Sequence, residues 1–430
     1  MRHTVLVFPS SNEPGLEVIQ ALSKSNKISV LAGSSFDLDF DPARVLVKRH
    51  VRCPALNEPD FRKRFEQLIA EHAVELVFPT VDSVVAEFAG WDDAGATFIA
   101  TSAASARICL SKRATYDRLR DVVAVPRVFE PGSEELPAFA KPDVGSGSRG
   151  GTSIETALEL ALARERGLMV SELLPGPEYT VDCLGDLEGR LVFSLVRVRA
   201  RVSRGIALGT ESVDRPDVDE AVERIAAELK ISGPWFAQFK EAADGTPTLL
   251  EVNARVGGSM TLSRLAGANL PLAAAFLFAG HPVEVPRPVP GLRINRWLRS
   301  AGEIDDFDWV VWDLDDTLVR ADGKVDPDVA ARVFDFHNQG RRQVLLTRNS
   351  DPEAALDALR LPLLFEDIIA VEDKLDALGD LLRVREVTED RCVMINDSIT
   401  ENAEVRRRYP GVRIFLPDAL DALARERTHA

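Results

Sequence analysis

The sequence predicts a multidomain protein of the α/β and α+β classes, with three folding units. Three observations support this prediction. The chain has 430 residues, and one folding unit takes about 150. Short apolar strands alternate with helical stretches at both ends of the chain, which is typical of parallel sheets covered by helices. The central part instead mixes longer strands with a glycine-rich loop.

Residues 1–107 are predicted to form a small doubly wound α/β domain. Apolar residues recur with helical spacing at 16–22 and 61–72. Short apolar runs predict the strands, at residues 4–9, 30–33, 76–79 and 97–100. Strands of this kind are typical of a buried parallel sheet.

Residues 108–303 are predicted to fold as two α+β lobes with a cleft between them. An amphipathic helix is expected at 218–229. Strands are expected at residues 138–141, 168–171, 179–184, 191–202 and 248–252. The four prolines of residues 282–290 are typical of a linker. The alternating stretch 292–298 predicts a last strand that returns to the preceding lobe, so we expect the next boundary near residue 304.

A second, independent parallel sheet is predicted for residues 304–430. A strand at 309–312 is followed by a helix at 327–339 and a strand at 343–346. Another helix and a strand at 392–395 come next. This regular alternation again indicates an α/β domain.

Composition excludes several classes of function. Asp and Glu outnumber Lys and Arg by 68 to 52, which gives a formal net charge of −16. Nucleic-acid surfaces need clustered cations, so we expect no nucleic-acid partner. We also expect no membrane partner, because no apolar run approaches ~18 residues and the first residues do not resemble a signal peptide. The four cysteines are far apart, which indicates neither zinc nor disulfides and fits a cytoplasmic protein.

A glycine-rich loop follows the first strand predicted in the central region. Lys141 ends this strand, and the loop after it includes Gly145, Ser146, Gly147 and Ser148. Glycine permits positive φ and close approach, so backbone N–H groups can face a polyphosphate while Lys141 neutralises part of its charge. An ordinary flexible loop explains this segment equally well when it is taken alone.

The segment 171–179 has the form of a hinge. Backbone groups from Glu172 to Leu174 can pair with the edge of an adenine ring. The carboxylate of Glu178 can accept hydrogen bonds from ribose hydroxyls. Because this hinge follows the glycine-rich loop, the two segments together predict a nucleotide site.

Oxygen donors on adjacent predicted strands suit a metal ion. Glu251 and Asn253 are two residues apart, so both face the same side of one strand. With Gln238 they offer the hard oxygen atoms that magnesium prefers. Arg255 continues the same face toward the position of a transferred phosphate.

Three arginines alternate along another predicted strand. Arg197, Arg199 and Arg201 are spaced by two residues, so their guanidinium groups are expected on one side. Such a row suits a carboxylate or phosphate substrate, because each guanidinium can form a bidentate pair. A solvated sheet face explains the row equally well. Arg204 is a further candidate for the same cleft.

Polar side chains follow the strands of the last domain. Asp313 and Asp315 come directly after its first strand, and Thr347 closes the second. Lys374 stands just before a helix, and Asp397 follows the last predicted strand. The carboxyl ends of parallel strands meet at one edge, where open α/β sheets place their ligands.

Taken together, the motifs of residues 1 to about 303 resemble ATP-grasp enzymes, close to the carbamoyl-phosphate-synthetase-like and PylC-like carboxylate ligases. The resemblance implies a pre-ATP-grasp α/β domain at 1–107 and a two-lobed ATP-grasp domain at 108–303. It implies that Lys112 and Lys141 contact the phosphates of ATP and that Arg255 stabilises the reacting phosphoryl group. The metal ligands that it implies, for Mg²⁺ or Mn²⁺, are Gln238, Glu251 and Asn253.

The residues from Asp313 to Asp397 resemble the motif set of the haloacid dehalogenase (HAD) superfamily, which implies a Rossmann-like HAD domain at 304–430. In that family Asp313 would attack phosphorus, Asp315 would act as acid and then base, and Thr347 and Lys374 would hold the phosphoryl oxygens. Mg²⁺ would bind Asp313, the backbone carbonyl of Asp315, and Asp397. Only 33 residues separate Asp313 from Thr347 and 26 separate Thr347 from Lys374, so no cap domain fits, which favours bulky or tethered phosphates.

The expected function is therefore a bifunctional enzyme. An ATP-dependent carboxylate–amine ligase, or one using a related nucleophile, would act through an acyl phosphate and be fused to a HAD phosphatase. One alternative is a ligase whose HAD domain only regulates or docks, and another is an ATP-grasp kinase or phosphotransferase. Expected partners are a carboxylate, a nucleophile and a phosphorylated small molecule or tethered phosphate, with a homodimer as the assembly considered.

Overall fold

A computed structural model describes residues 2–145, 150–203, 205–286, 288, 291–298, 300–302, 304, 306–358 and 364–423. The chain divides into two compact units, residues 1–298 and 299–429. The boundary lies slightly before the one expected near residue 304. Each unit is described by itself below.

The first unit begins with a parallel sheet flanked by helices. Its elements are β1 (His3–Phe8), α1 (Glu13–Leu22), β2 (Ile28–Ser34), β3 (Arg49–Arg52), α2 (Phe61–Glu71), β4 (Leu76–Pro79), α3 (Asp82–Phe88), β5 (Thr97–Phe98), α4 (Ala103–Leu110) and α5 (Lys112–Leu119). The strand order is β3-β2-β1-β4-β5 and every pairing is parallel. The order reverses between β1 and β4, so the carboxyl ends of these two strands border the crevice of the sheet.

The predicted strands and helices of this sheet agree with the structure, apart from the edge strand β3, which was not predicted. The β3 sequence, Arg49–Arg52, is half-exposed and basic, so it carries no apolar run. The border expected at residue 107 falls inside α4. One hydrophobic core also joins the two sides of that border, since Val7 of β1 and Phe236 belong to the same cluster.

A small antiparallel sheet with one helix follows. Its elements are β6 (Ala138–Lys141), β7 (Thr152–Ile154), α6 (Ala157–Glu165) and β8 (Met169–Glu172), and the strand order is β7-β6-β8. Thr156 and Glu159 form a capping box at the start of α6, in which each side chain accepts a hydrogen bond from the other residue's backbone. Such reciprocal caps satisfy amide groups that the first helical turn leaves unpaired.

A larger antiparallel sheet completes the first unit. Its elements are β9 (Glu178–Gly185), β10 (Leu191–Ser203), β11 (Ile206–Ser212), α7 (Pro216–Leu229), β12 (Gly233–Glu241), β13 (Pro247–Asn253), α8 (Thr261–Leu265), α9 (Leu270–Phe278) and β14 (Arg293–Asn295). The strand order is β13-β12-β9-β10-β11-β14. The returning strand predicted at 292–298 is confirmed, because Ile294 pairs with Thr210 of β11. The strand β11 was not predicted, and no range was predicted for β12, the strand that carries Gln238.

The second unit is built on its own parallel sheet. Its elements are β15 (Trp309–Trp312), α10 (Pro327–Asn338), β16 (Arg342–Thr347), α11 (Pro352–Ala358), β17 (Asp367–Ala370), α12 (Lys374–Val384), β18 (Cys392–Ile395), α13 (Ile399–Arg408) and β19 (Arg413–Phe415). The strand order is β17-β16-β15-β18-β19. The central strands β15, β16 and β18 agree with the prediction, and the edge strands β17 and β19 were not predicted.

The central strand β15 explains why this sheet could be predicted. Its four residues, Trp309–Trp312, are all buried, and Trp312 packs against Phe336 of α10. The indole Nε1 of Trp312 donates to the side chain of Gln343 at 2.9 Å, so the buried polar atom has a partner. A single helix lies between β15 and β16, and another between β16 and β17. In the described parts of the chain, we find no helix with the length and apolar character that crossing a membrane requires.

Candidate active sites

One cavity of the first unit joins the glycine-rich loop, the hinge and the metal-facing strands. Its described lining comprises Lys112, Pro126, Phe139, Lys141, Pro142, Gly145, Gly151, Ser171, Glu172, Leu173, Leu174, Glu178, Gln238, Lys240, Leu250 and Glu251. The small sheet provides one wall and the large sheet the other. Tertiary structure thus brings together segments more than a hundred residues apart.

Lys141 lies deep in this cavity at the end of β6. Its amino group donates to the hydroxyl of Tyr116 at 2.7 Å and to the backbone carbonyl of Leu250 at 3.3 Å. Burial lowers the pKa of Lys141 from 10.5 to about 8, and the nearby carboxylate of Glu251 opposes that shift. A buried cation with only neutral hydrogen-bond partners favours the approach of an anion such as a phosphate.

Lys112 connects the glycine-rich loop to the metal-facing strands. Its amino group donates to the carbonyl of Gly145 at 2.9 Å and lies 3.6 Å from a carboxylate oxygen of Glu251. The loop is also tied to α5, because the hydroxyl of Ser111 donates to Asp143 at 2.8 Å. These contacts place Lys112 between the phosphate-facing loop and the predicted metal ligands. The predicted phosphate-binding residues Ser146, Gly147 and Ser148 lie outside the described residues.

The hinge predicted near Glu172 borders the same cavity. The side chain of Glu172 accepts from the backbone N–H of Arg127 at 2.8 Å, and its own N–H donates to the carbonyl of Arg127 at 3.0 Å. Glu172 therefore fixes the hinge rather than presenting its amide to the cavity. Leu174 is buried in the lining. Gly176 passes so close to β12 that a Cβ there would lie 2.5 Å from the Cβ of Glu241, which explains the glycine.

Glu178, the predicted ribose contact, forms an ion pair with Arg199. The same guanidinium donates to the carbonyl of Gly205 at 2.6 Å and lies 3.5 Å from the side-chain oxygen of Gln238. Arg199 therefore lies beside the cavity, where it contacts both the predicted ribose ligand Glu178 and the predicted metal ligand Gln238. Lys240 also lines the cavity and was missed, although it is two residues from Gln238 on one strand and so shares its face.

The predicted metal ligands lie on one face of neighbouring strands. Gln238 of β12 is directly opposite Glu251 of β13, and Asn253 follows two residues on. The amide Nδ2 of Asn253 is buried and has no hydrogen-bond partner among the described residues. A half-turn of that amide would present its oxygen instead. Oxygen donors from a carboxylate and two amides fit Mg²⁺, so the residues present agree with such a site.

Arg255 lies at the end of this row. Its Nε donates to Asp82 at 2.9 Å, its Nη1 donates to the carbonyl of Val256 at 3.0 Å, and its guanidinium carbon is 5.2 Å from the centre of the Phe236 ring. Phe236 is directly opposite Asn253. Arg255 is therefore on the metal-facing side of the sheet, but it is not among the residues that line the cavity.

The three alternating arginines have different surroundings. Arg197 is buried and forms a bidentate pair with Asp182, with both nitrogen–oxygen distances 3.0 Å. Arg199 lies at the cavity, whereas Arg201 is exposed. A bulge between Arg199 and Arg201 interrupts the alternation that the sequence suggested. The row expected from the sequence is thus not one uniform surface. Arg204 lies outside the described residues.

The second unit gathers its polar residues at the carboxyl ends of β15, β16 and β18. Lys374 donates to Asp313 at 2.8 Å and to Glu401 at 3.2 Å. Arg348 pairs with Glu401 at 2.6 Å. Burial raises the pKa of Asp313 from 3.8 to about 6, although Lys374 opposes the shift. A carboxylate and an ammonium group are thus held in contact in a buried place.

The remaining predicted residues of this unit surround that pair. Thr347 is fully buried, and its hydroxyl accepts from the N–H of Asn349 at 3.0 Å. The side chain of Asn349 donates to Asp315 at 3.3 Å. Asp397 follows β18, which pairs with β15, and its charge adds to the raised pKa of Asp313. Sequence reasoning missed Arg348 and Asn349, although both directly follow Thr347.

No cluster of three or more acidic, histidine or cysteine side chains placed for a metal ion occurs in the described part of the chain. The donor set expected from the sequence has only two such side chains, Asp313 and Asp397, together with the backbone carbonyl of Asp315, and it stays a prediction. Two carboxylates and one carbonyl are hard oxygen donors that suit Mg²⁺. The residues present therefore fit such an ion.

Comparison with known families concerns the first unit. Residues 164–299 match the family model described as an ATP-grasp in the biosynthetic pathway with Ter operon. No curated protein matches the sequence. The matched segment includes the three predicted metal ligands and Arg255.

Solved structures with a similar fold cover 66% of the chain. The biotin carboxylase domain dimer of the 2-oxoglutarate carboxylase from Hydrogenobacter thermophilus, with MgADP, ADP and bicarbonate, is 18% identical, with a TM-score of 0.56 over 71% of its chain. The L-amino acid ligase from Bacillus licheniformis is 18% identical, with a TM-score of 0.52 over 75%. N5-carboxyaminoimidazole synthetase from Staphylococcus aureus, with ADP, is 13% identical, with a TM-score of 0.56 over 80%.

The family model and these structures together support an ATP-grasp domain in the first unit. At such identities the structural likeness concerns the fold. The expected cofactors, ATP with Mg²⁺, agree with the ADP and magnesium of the Hydrogenobacter structure and with the ADP of the Staphylococcus structure. The matched family model ends at residue 299, so the HAD domain expected from the sequence stays a prediction.

Proposed function

We propose that the first unit is an ATP- and Mg²⁺-dependent ligase that activates a carboxylate as an acyl phosphate and then transfers the acyl group to an amine or a related nucleophile. The proposal rests on one cavity whose lining includes two lysines, Lys112 and Lys141, and two oxygen donors, Gln238 and Glu251. The first pair suits phosphates, and the second pair suits the metal ion that accompanies them. The hinge residues Glu172, Leu173 and Leu174 line the same cavity.

The residues of the cavity would act by charge and position. Lys112 and Lys141 would pair with phosphate oxygens, and the N–H groups of the glycine-rich loop would add hydrogen bonds. Gln238, Glu251 and Asn253 would hold Mg²⁺, which when bound offsets charge on the phosphoryl oxygens. Arg255 would add a further positive charge beside the reacting group. Most of the rate enhancement would then come from positioning and electrostatic stabilisation.

Trapping of the acyl phosphate tests this proposal. The protein, Mg²⁺ and ATP are incubated with panels of amino acids and hydroxy acids in the presence of hydroxylamine, which attacks an acyl phosphate and releases phosphate. We expect carboxylate-dependent ADP formation together with a hydroxamate. A stable phosphate ester in place of the hydroxamate would instead support a kinase, and no carboxylate-dependent ADP would reject both.

For the second unit we propose Mg²⁺-dependent hydrolysis of phosphate esters through a phosphoaspartate. The contact between Lys374 and Asp313, beside Thr347 and Asp397, carries this second proposal. Asp313 would form a bond to phosphorus while the ester oxygen leaves with a proton from Asp315. Asp315 would then take a proton from the water that hydrolyses the acyl phosphate. Lys374 and Thr347 would hold the phosphoryl oxygens.

Beryllium fluoride tests the nucleophile directly, because it adds to a phosphate-accepting aspartate. We expect a bound-fluoride signal in ¹⁹F NMR spectra of the Mg²⁺-loaded protein and its loss in Asp313→Asn. Hydrolysis of para-nitrophenyl phosphate should disappear in the same variant. A protein that binds Mg²⁺ but gives neither signal nor hydrolysis would favour a regulatory or docking role for this unit.

A further inference from the structure

Asp82 contacts the ATP-grasp site from the neighbouring parallel sheet. It is the first residue of α3, and only two residues separate it from the end of β4, so it stands at the carboxyl end of that strand. The adjacent position in the sheet is β1, where the strand order reverses. Open α/β sheets place their functional groups at this edge. No sequence motif described above includes Asp82.

The contact is a close and partly buried ion pair. The Nε of Arg255 donates to Asp82 at 2.9 Å, and the side chains are 9% and 16% exposed. The pair joins residues 173 positions apart in the sequence. Low exposure reduces screening by water and salt, so the carboxylate holds the guanidinium more firmly than an exposed pair would.

Three contacts together fix the plane of the Arg255 guanidinium. Asp82 binds Nε, the carbonyl of Val256 binds Nη1, and the ring of Phe236 lies beneath. The Arg255 guanidinium has little freedom to rotate, because a carboxylate, a backbone carbonyl and an aromatic ring all contact it. Arg255 keeps further N–H donors, since a guanidinium carries five. Nε and Nη1 are thus held, while the Nη2 group makes no hydrogen bond to the described residues.

The held guanidinium lies on the metal-facing side of the sheet. Phe236 precedes Gln238 by two residues on β12, so both side chains leave the same face. Phe236 is also directly opposite Asn253. Because Arg255 packs on Phe236, its position is next to the oxygen donors proposed for Mg²⁺ rather than on the opposite face of the sheet.

We propose that Asp82 is a positioning residue of the ligase site, which orients Arg255 toward the transferred phosphoryl group. The inference rests on the ligase function proposed above. It assigns the parallel sheet an indirect part in the reaction, through a carboxylate that acts on Arg255. A purely structural role for Asp82, as an acidic residue in the first turn of α3, is the competing explanation.

The test compares three variants of the full chain. Asp82→Asn keeps the shape of the side chain but removes its charge. Asp82→Glu keeps the charge on a side chain that is one methylene group longer. Asp93→Asn is the matched control, because Asp93 pairs with Arg62 at 2.5 Å in the same part of the chain but is 83% exposed. Three quantities are measured for each variant: kcat of carboxylate-dependent ADP formation, the Kd for ADP with Mg²⁺, and the melting temperature.

We expect kcat of Asp82→Asn to fall by about 10- to 100-fold, because small misplacements of a catalytic group have effects of that size. The Kd for ADP with Mg²⁺ should change less than twofold, and Asp82→Glu should recover part of kcat. The control should stay within twofold of the wild type. An unchanged kcat in Asp82→Asn, or a loss that follows the melting temperature and is not recovered by glutamate, would overturn the inference.

Arginine NMR separates this inference from the ligase function. The Nε–Hε signal of Arg255 is identified by its absence in Arg255→Lys, and it should shift in Asp82→Asn but not in Asp93→Asn. If the Arg255 signal does not shift in Asp82→Asn, the positioning role is overturned, regardless of the measured kcat. A shifted signal in a protein that forms no ADP with any carboxylate would reject the ligase function while the contact itself stands.

Discussion

Each unit has a buried charged group at its candidate site whose pKa is shifted by burial, and the two groups, Lys141 and Asp313, have opposite signs. In the first unit burial lowers the pKa of Lys141 to about 8, and in the second it raises the pKa of Asp313 to about 6. Both shifts favour the neutral form, because desolvation penalises charge of either sign. Groups of this kind are concentrated at functional sites. The two chemistries proposed for the units would thus start from the same physical situation.

The partners of the two buried groups differ. Lys141 donates to the neutral oxygens of Tyr116 and Leu250, whereas Asp313 is in direct contact with the cation Lys374. An incoming phosphate would therefore complete the charge balance of Lys141. At Asp313, a phosphate or metal ion would rearrange a pair that already exists. This difference is what the two proposals require, an anion-binding site in the first unit and a nucleophile in the second.

Replacing one carboxylate in each unit should have the largest effect on the two reaction rates. If the two sites are coupled, either replacement would slow both reactions. Asp313→Asn removes the proposed nucleophile, so phosphate-ester hydrolysis should fall about a thousandfold or more. Glu251→Gln should reduce carboxylate-dependent ADP formation about 100-fold, because it removes a charged metal ligand. Steady-state rates of both reactions are measured for each variant.

Each variant is the control for the other. Asp313→Asn should leave ADP formation within about twofold, and Glu251→Gln should leave phosphate release within the same range. Additivity is expected for sites without shared partners. Loss of both reactions in either single variant would contradict two separate sites.

The opposite pKa shifts of Lys141 and Asp313 predict opposite changes of the free energy of unfolding with pH. These changes should be smaller than the effects of the two carboxylate variants on the reaction rates. The lowered pKa of Lys141 means that the native protein binds fewer protons than the unfolded chain between about 8 and 10.5. This group therefore makes the free energy of unfolding rise with pH in that window. Affinity for ADP with Mg²⁺ should fall over the same range as Lys141 loses its charge. Lys141→Met should remove both pH dependences between about 8 and 10.5, the one in the free energy of unfolding and the one in the affinity for ADP with Mg²⁺. Calorimetry measures both quantities.

Asp313 gives the opposite sign. Its raised pKa means that the native protein binds more protons than the unfolded chain between 3.8 and about 6. The contribution of this group to the free energy of unfolding is therefore present below 3.8 and is lost as the pH rises through about 6. Denaturant unfolding of wild type and Asp313→Asn at several pH values checks the slope. Equal slopes in the two proteins would contradict the assigned burial effect.

The smallest predicted effect distinguishes two neighbouring arginines. Arg199→Ala should weaken binding of ADP with Mg²⁺ about tenfold, because its charge-assisted contacts hold Glu178 and approach Gln238. Arg201→Ala should change the affinity less than twofold, since that side chain is exposed. Isothermal titration of both variants decides between them. Equal losses of affinity in the two variants would support the single row of substrate-binding arginines that the sequence suggested.

Much of the fold could be predicted because it is encoded by local patterns. The strand Trp309–Trp312 and the helix Pro216–Leu229 were recognisable from an apolar run and from helical periodicity. The edge strands β3, β17 and β19 were not, because they are short and less buried and so lack a continuous apolar signal. Their pairing depends on a neighbouring strand rather than on their own sequence.

The sequence by itself determined which chemical groups are present and their order along the chain. Glycine spacing, the Glu-x-Asn-x-Arg ending and the acidic loop after Trp312 depend only on residue type and local geometry. Tertiary structure decided which of these groups meet. It buried Arg197 against Asp182, placed Arg199 at the cavity, and brought Asp82 to Arg255 across 173 residues. The physical reason is that strand register, bulges and burial are long-range properties, which no local pattern specifies.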